Sequence, residues 1–144
     1  MFGKRIRIPV LRSSKLERAK RRSQICVDGI KEIHRGIIRN SGCVHEEGLE
    51  DAIYSEAGLQ RVCDAIDYIE DPFEMAALAM EAIATFHPFV DGNKRTALAV
   101  ALRFLNDSGY RLPDGFDTSD YVQEVAMGMH DVGDIADWLR KNAI

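Results

Sequence analysis

At 144 residues the chain has the length of one domain with a substantial core. Hydrophobic residues make up 46% and charged residues 29%, an ordinary globular balance, and no run of eighteen apolar residues offers a membrane span. The net charge of −4 hides an asymmetry: residues 1–22 hold nine Lys/Arg against the single acid Glu17, leaving −12 on the rest.

We therefore divide the chain into a basic arm, 1–22, and a domain, 23–144. The arm reads as a disordered leader or as a segment docked on the acidic body; binding of nucleic acid is the third reading. There is no secretory leader pattern, and Cys26, Cys43 and Cys63 show no CxxC spacing. An odd, scattered set predicts free thiols in a reducing compartment, with the cytoplasm as the expected location.

From Asp28 the pattern is helical. Ile30, Ile33 and Ile37 recur at helical spacing, with Gly42 as the expected stop. Residues 43–48 read as a loop, and Glu50–Ile53 as a short helix broken near Gly58. Leu59, Val62, Cys63, Ile66 and Ile69 form the next apolar stripe. Asp71-Pro72 predicts a capped start for a helix over 73–86, and His87-Pro88 its end, since the residue before proline avoids helical angles. The following TALAVALRFL is apolar almost all round and is expected at the centre of the bundle. Gly109 closes it and Pro113-Asp114-Gly115 makes a turn. Two last helices are expected near 118–129 and 134–142, the second capped by Asp134. No strand pattern appears, and the expected fold is all-α.

Between the two most apolar helices lies a dense polar run, His87-Pro-Phe-Val-Asp-Gly-Asn-Lys-Arg95. Gly92 lets backbone approach a ligand, and Asn93 opens a helix whose first N–H groups lack internal partners, an anion site at the positive end of a dipole. Lys94 and Arg95 add charge there, a point charge and a bidentate fork, about 100° apart around the axis. Asp91 offers a hard oxygen to Mg²⁺, and His87 can accept a proton from an attacking hydroxyl. Singly, each has a plainer reading: a histidine at a helix end, a capping aspartate, a turn glycine, a solvated pair of cations. Together they point to phosphoryl or nucleotidyl transfer. Cys43-x-His45 is half a metal site without its second half. His34 and His130 read as structural.

HPFVDGNKR resembles the signature of the Fic/Doc superfamily, HPFx(D/E)GN(G/K)R. GLEDAI at 48–53, the apolar helix after the motif and the closing Trp138-Leu139 bring the chain nearest the death-on-curing, or Doc-type, toxin branch. The resemblance implies a compact Fic-like helical bundle. It also implies His87 as base, Asp91 as Mg²⁺ ligand, Gly92 and Asn93 as anion cradle, and Arg95 on a phosphate of ATP or another nucleoside triphosphate. Lys94 stands where adenylyltransferases of the family have glycine and Doc toxins have lysine; the toxins bind the nucleotide reversed and act as kinases. Gly92 follows the adenylyltransferase pattern, since the founding kinase toxin has alanine there, and Pro88 is shared with Fic proteins.

The resemblance further implies a protein substrate such as a translation elongation factor. The chain lacks the inhibitory-helix pattern [S/T]xxxE[G/N], which points to a separate antitoxin. AMP transfer is the alternative activity, and a non-catalytic helical module that binds nucleic acid through its arm is the alternative of another class.

Overall fold

The computed structural model describes the backbone of residues 15–40 and 53–144, and the side chains from residue 26 onward within those spans. Residues 1–14 of the arm, the loop expected at 43–48 with Cys43 and His45, and the short helix expected at Glu50–Ile53 up to Ala52 lie outside the described residues. Among the described residues the six elements are all helices: α1 (Lys15–Asn40), α2 (Glu56–Ile66), α3 (Pro72–Phe86), α4 (Asn93–Asp107), α5 (Ser119–Ala126) and α6 (Val132–Asn142). Among the described residues the only strand-like feature is one isolated antiparallel bridge, Ile53 to Phe89.

α1 begins well before the expected Asp28, so the boundary drawn at residue 22 falls inside a helix. Its first turns, KLERAKRR, contain no apolar stripe, yet Lys, Arg, Glu, Leu and Ala are strong helix formers and no proline interrupts them. Its buried face also differs from the expected one. Val27, Ile30, His34 and Ile38 are buried, whereas Ile33 and Ile37 are only partly covered.

Gly58 does not break a helix. Ser55 is the N-cap of α2 and its Oγ accepts from the Gly58 N–H at 2.9 Å. A Cβ on residue 58 would sit 2.9 Å from that same oxygen, so the glycine is part of the cap. Ile69 falls past the end of α2, in a turn where its N–H donates to Ile66 O.

α3 starts as expected, with Asp71 Oδ1 accepting from Phe73 N–H at 2.9 Å and Pro72 in the first turn. Gly109, in the left-handed region, follows α4. α5 is shorter than expected because Gly128 at φ +78° ends it. α6 begins earlier than Asp134. Asp131 is the N-cap and Asp134 completes a capping box, each side chain accepting from the other's backbone N–H.

α3 packs on α2, α4, α5 and α6, and α4 packs on α1, α3 and α5, so the expected central helix shares the centre with its predecessor. Ala76, Ala77, Ala79, Ala82 and Ala84 are all buried, and their small side chains let neighbours approach α3 from several directions. Cys26 of α1 and Cys63 of α2 are joined by a disulfide. This corrects the free-thiol expectation for two of the three cysteines. The helices bring together residues 37 apart in sequence, which spacing alone does not reveal. No described helix is long and apolar enough to cross a membrane.

Candidate active site in the loop between α3 and α4

α3 ends because His87 turns left-handed, at φ +50° and ψ +59°, the one described non-glycine residue with positive φ. Such a conformation is costly for a residue with a Cβ and persists where the surroundings fix it. The surroundings do so on the next residue. Pro88 O accepts from Tyr54 N–H at 2.7 Å and from Ser55 N–H at 3.2 Å, laying the lead-in to α2 along the loop.

Phe89 then turns inward. It is 1% exposed, worth about 2–3 kcal/mol of apolar burial, and stacks on the His34 ring with centroids 3.8 Å apart and planes 5° from parallel. Asn93 closes the loop over it. Its Oδ1 accepts from Phe89 N–H at 3.0 Å and its Nδ2 donates to Phe89 O at 2.8 Å. Both ends of the carboxamide are thereby used on one residue. The side chain of Asn93 shapes the loop, and what remains for a ligand is its backbone N–H at the start of α4.

Gly92 adopts φ +78°. A Cβ there would meet Ile38 Cδ1 at 3.0 Å and the His34 ring at 3.6 Å, both on α1. The absent methyl therefore clears space toward α1, not toward a ligand. This revises the sequence reading, in which Gly92 was the close-approach glycine and, with Pro88, a feature favouring AMP transfer. The N–H of Gly92 donates to Asp91 Oδ1 at 2.8 Å, and the carbonyl of Asp91 accepts from His34 Nε2 at 2.7 Å.

With Phe89 and Asn93 turned in, the rest of the run faces outward. His87, Asp91, Gly92, Asn93, Lys94 and Arg95, with Val90, line one cleft of about 260 Å³, so every residue singled out in sequence borders a common space. Asp91 is the one carboxylate among these lining residues, which also include Lys94, Arg95 and the start of α4. No acid occupies the first turn of α4 to satisfy the helix dipole. Lys94 Nζ donates to Gln123 Oε1 of α5 at 2.6 Å, which holds the ammonium at the rim of the cleft. No group of three or more His, Cys, Asp or Glu that could chelate a metal occurs among the described residues. A cation here would thus be held by Asp91 with ligand oxygens and water, the manner in which Mg²⁺ binds nucleotides.

His34, read as structural, is buried as that reading implies, but its contact with the loop was not foreseen, and Gln123 was not singled out at all. His34 belongs to the α1 stripe at Ile30 plus four and Ile38 minus four, a signal that was available. Gln123 lies 29 residues from Lys94 and carried no signal. His130 is engaged elsewhere, bonded to Glu124 Oε1 at 2.8 Å and stacked on Tyr121. A mainly apolar groove of about 450 Å³ lies between α2 and α3, lined in part by Phe86 and Pro88, the chain neighbours of His87.

Comparison with known proteins agrees with this geometry. The chain is 38% identical over 96 residues to the protein kinase doc of Escherichia phage P1, covering 65% of this chain and 76% of that protein. It is 35% identical over 96 residues to Toxin Doc of Mycolicibacterium smegmatis, covering 65% and 72%. Protein adenylyltransferase fic-1 of Caenorhabditis briggsae is 28% identical over 108 residues, 64% of this chain but 21% of that longer protein. The family model described as Fic/DOC matches residues 24–105, more than half of the chain and the whole of the loop, and this protein belongs to the Fic/DOC family.

Proposed function

We propose that this protein is a Doc-type toxin that transfers the γ-phosphoryl group of ATP, or another nucleoside triphosphate, to a serine or threonine hydroxyl of a protein target. The observation that carries the reading is the shared cleft: base, carboxylate, N–H groups and two cations converge on one space at the start of α4. The similarity to a protein kinase and a toxin of the Doc branch supports the direction of transfer.

In this reading His87, exposed at the end of α3, takes the proton of the target hydroxyl. The hydroxyl oxygen bonds to the γ-phosphorus as the bond from that phosphorus to the β–γ bridging oxygen breaks, and the nucleoside diphosphate leaves. Arg95 forks onto a phosphate, and the backbone N–H of Asn93 at the start of α4 cradles it, beside Gly92, whose own N–H is held on Asp91 Oδ1. Asp91 holds Mg²⁺, which when bound neutralises phosphate charge. Lys94, tethered to Gln123, sets a positive charge at the rim where a reversed nucleotide presents its phosphates.

AMP transfer is the second reading. Pro88 and the likeness to an adenylyltransferase favour it, but the missing methyl at Gly92 does not, since its place is toward α1. Parallel reactions with α-labelled and γ-labelled ATP decide between them: label retained from the γ position is expected, and label retained from the α position means adenylylation. Lys94→Gly then tests the rim charge, with some AMP transfer expected in that variant.

The target fits the class of translation elongation factors, the place of action is the cytoplasm, and a separate antitoxin restrains the enzyme. Growth of the host unaffected by expression of the active protein alone would remove the antitoxin. Alkylation of thiols directly in lysates tests the location, because the Cys26–Cys63 bond is expected to be reduced in the cytoplasm. The division into a 1–22 arm and a 23–144 domain is kept as a functional one, with α1 crossing it. Salt-sensitive binding of DNA or RNA by the arm would favour the non-catalytic module instead.

A further inference from the structure

His34 is 1% exposed, lies 53 residues before the catalytic histidine proposed above, and spends one face and one edge of its ring on the loop. Its ring lies flat on Phe89, and its Nε2 meets the carbonyl oxygen of Asp91. A carbonyl oxygen only accepts, so Nε2 carries a proton and donates it. That fixes the tautomer of the neutral ring with its proton on Nε2, and it removes Nε2 from any role as a base. One turn further along α1, Ile38 Cδ1 occupies the place next to Gly92 where a Cβ would fall. α1 is therefore a template against which the loop is cast, with His34 holding a backbone carbonyl of the loop.

The contact lands at a sensitive point. The peptide whose oxygen His34 holds joins Asp91 to Gly92. The same peptide carries the Gly92 N–H that donates to the Asp91 carboxylate. Rotating this peptide would move the carboxylate, the Gly92 N–H that holds it and the direction in which α4 presents its first N–H groups. We propose that His34 is a positioning residue for the active site: by gripping the Asp91 carbonyl and stacking on Phe89, it sets the orientation of the Asp91–Gly92 peptide and through it the metal and phosphate ligands. The inference rests on the phosphotransferase reading for its consequence in catalysis, but its structural content is independent of that reading.

The test combines the wild-type protein with His34→Phe, which keeps a flat ring on Phe89 and loses the donor, and His34→Gln, which keeps an amide donor and loses the ring. Three measurements are made. Long-range ¹H–¹⁵N correlation of wild type reads the tautomer directly, and a proton on Nε2 is expected. Amide exchange at Gly92 and Phe89 is expected to quicken about three- to tenfold in His34→Phe, with buried amides of α3 unchanged. Binding of Mn²⁺–ATP, followed by the Mn²⁺ resonance, is expected to weaken about tenfold in His34→Phe, with kcat falling in step and KM for the protein target held.

His34→Gln should recover part of both losses. A proton on Nδ1 alone in wild type, or a folded His34→Phe with wild-type exchange and Mn²⁺–ATP affinity, overturns the proposal. If His34→Phe does not fold, the wild-type tautomer and His34→Gln decide it. If wild type neither binds Mn²⁺–ATP nor transfers a group, the proposed function fails, while the tautomer and the exchange at Gly92 still judge the grip of His34 on the loop.

Discussion

The loop between α3 and α4 has a floor and a rim, and the two are built by opposite rules. On the floor Phe89, Asn93 and His34 are almost wholly buried, and the hydrogen-bonding groups of Asn93 and the Asp91 carbonyl are matched within the protein. On the rim His87, Lys94 and Arg95 are exposed, and only Lys94 has a partner among the described residues. Apart from His34, the two sets interleave within nine consecutive residues. The lesson is that half of such a signature is architecture. Its inward positions consume their own polar groups so that its outward positions can leave theirs for a ligand. Floor substitutions should cost stability and activity together, whereas rim substitutions should cost activity alone.

The strongest way to break this division is at His87. His87→Ala removes an exposed side chain whose conformation, not whose packing, is unusual. Transfer is expected to fall about 10²- to 10⁴-fold, the range of a positioned general base, at unchanged melting temperature. A variant that melts lower by several degrees would place His87 on the floor, and one with full activity would take it out of the mechanism.

The floor is gripped by α1 from one side and by the lead-in to α2 from the other, and Cys26–Cys63 ties these two helices together. Constraining residues 37 apart is worth about 4 kcal/mol in the chain-entropy account. Addition of a reductant should lower the urea midpoint accordingly, and alkylation under denaturing, non-reducing conditions should label one thiol in place of three. Three labelled thiols before reduction would dissolve the tie.

How much of this was legible in the sequence follows from the same contrast. The rim was readable because its residue types name their chemistry: histidine, aspartate, lysine and arginine beside a glycine and a helix start. Helix starts with local signals, Asp71-Pro72 above all, were also readable, because the capping partner lies within two residues. The floor was not. Asn93 reads as a ligand-facing polar residue until its carboxamide is found turned onto Phe89, and Gly92 reads as room for a ligand until its missing Cβ is found to face Ile38. The second fact depends on α1 arriving more than fifty residues away in sequence, and the first on the loop turning Phe89 and Asn93 inward together. The start of α1 was missed for a different reason: its first turns hold helix by propensity without an apolar stripe to advertise it.

Gly92→Ala sharpens the comparison at the floor. The added methyl meets Ile38 at 3.0 Å in a backbone conformation that disfavours a Cβ. The expected cost is about 1–2 kcal/mol, measured by denaturation. Trimming the obstacle with Ile38→Val should return the packing share of that loss and leave the conformational share. Additive losses in the double variant would mean that the two residues do not meet.

The smallest effect is expected at the other end of α3, which serves as a control because it caps the same helix far along the chain from the loop. Asp71→Ala removes the N-cap and its contact with Arg140, and should cost about 1 kcal/mol at neutral pH with transfer unchanged. The hydrogen bond from Arg140 holds the Asp71 carboxyl below its ordinary value, aided by the Phe73 N–H and opposed by partial burial. A carboxylate whose folded value lies below its unfolded one stabilises the fold fully above the unfolded value of about 3.9. That stabilisation drains away as the pH falls through the lower, folded value. Both partners are more than a third exposed or nearly so, so solvent screening keeps the ionic share small and sensitive to salt. Wild type and Asp71→Ala should therefore differ at pH 7 and converge as the pH drops below about 4. A difference that persists undiminished at pH 2 would show that the cap acts without its charge, and a loss of transfer at pH 7 would show that the far end of α3 governs the presentation of His87.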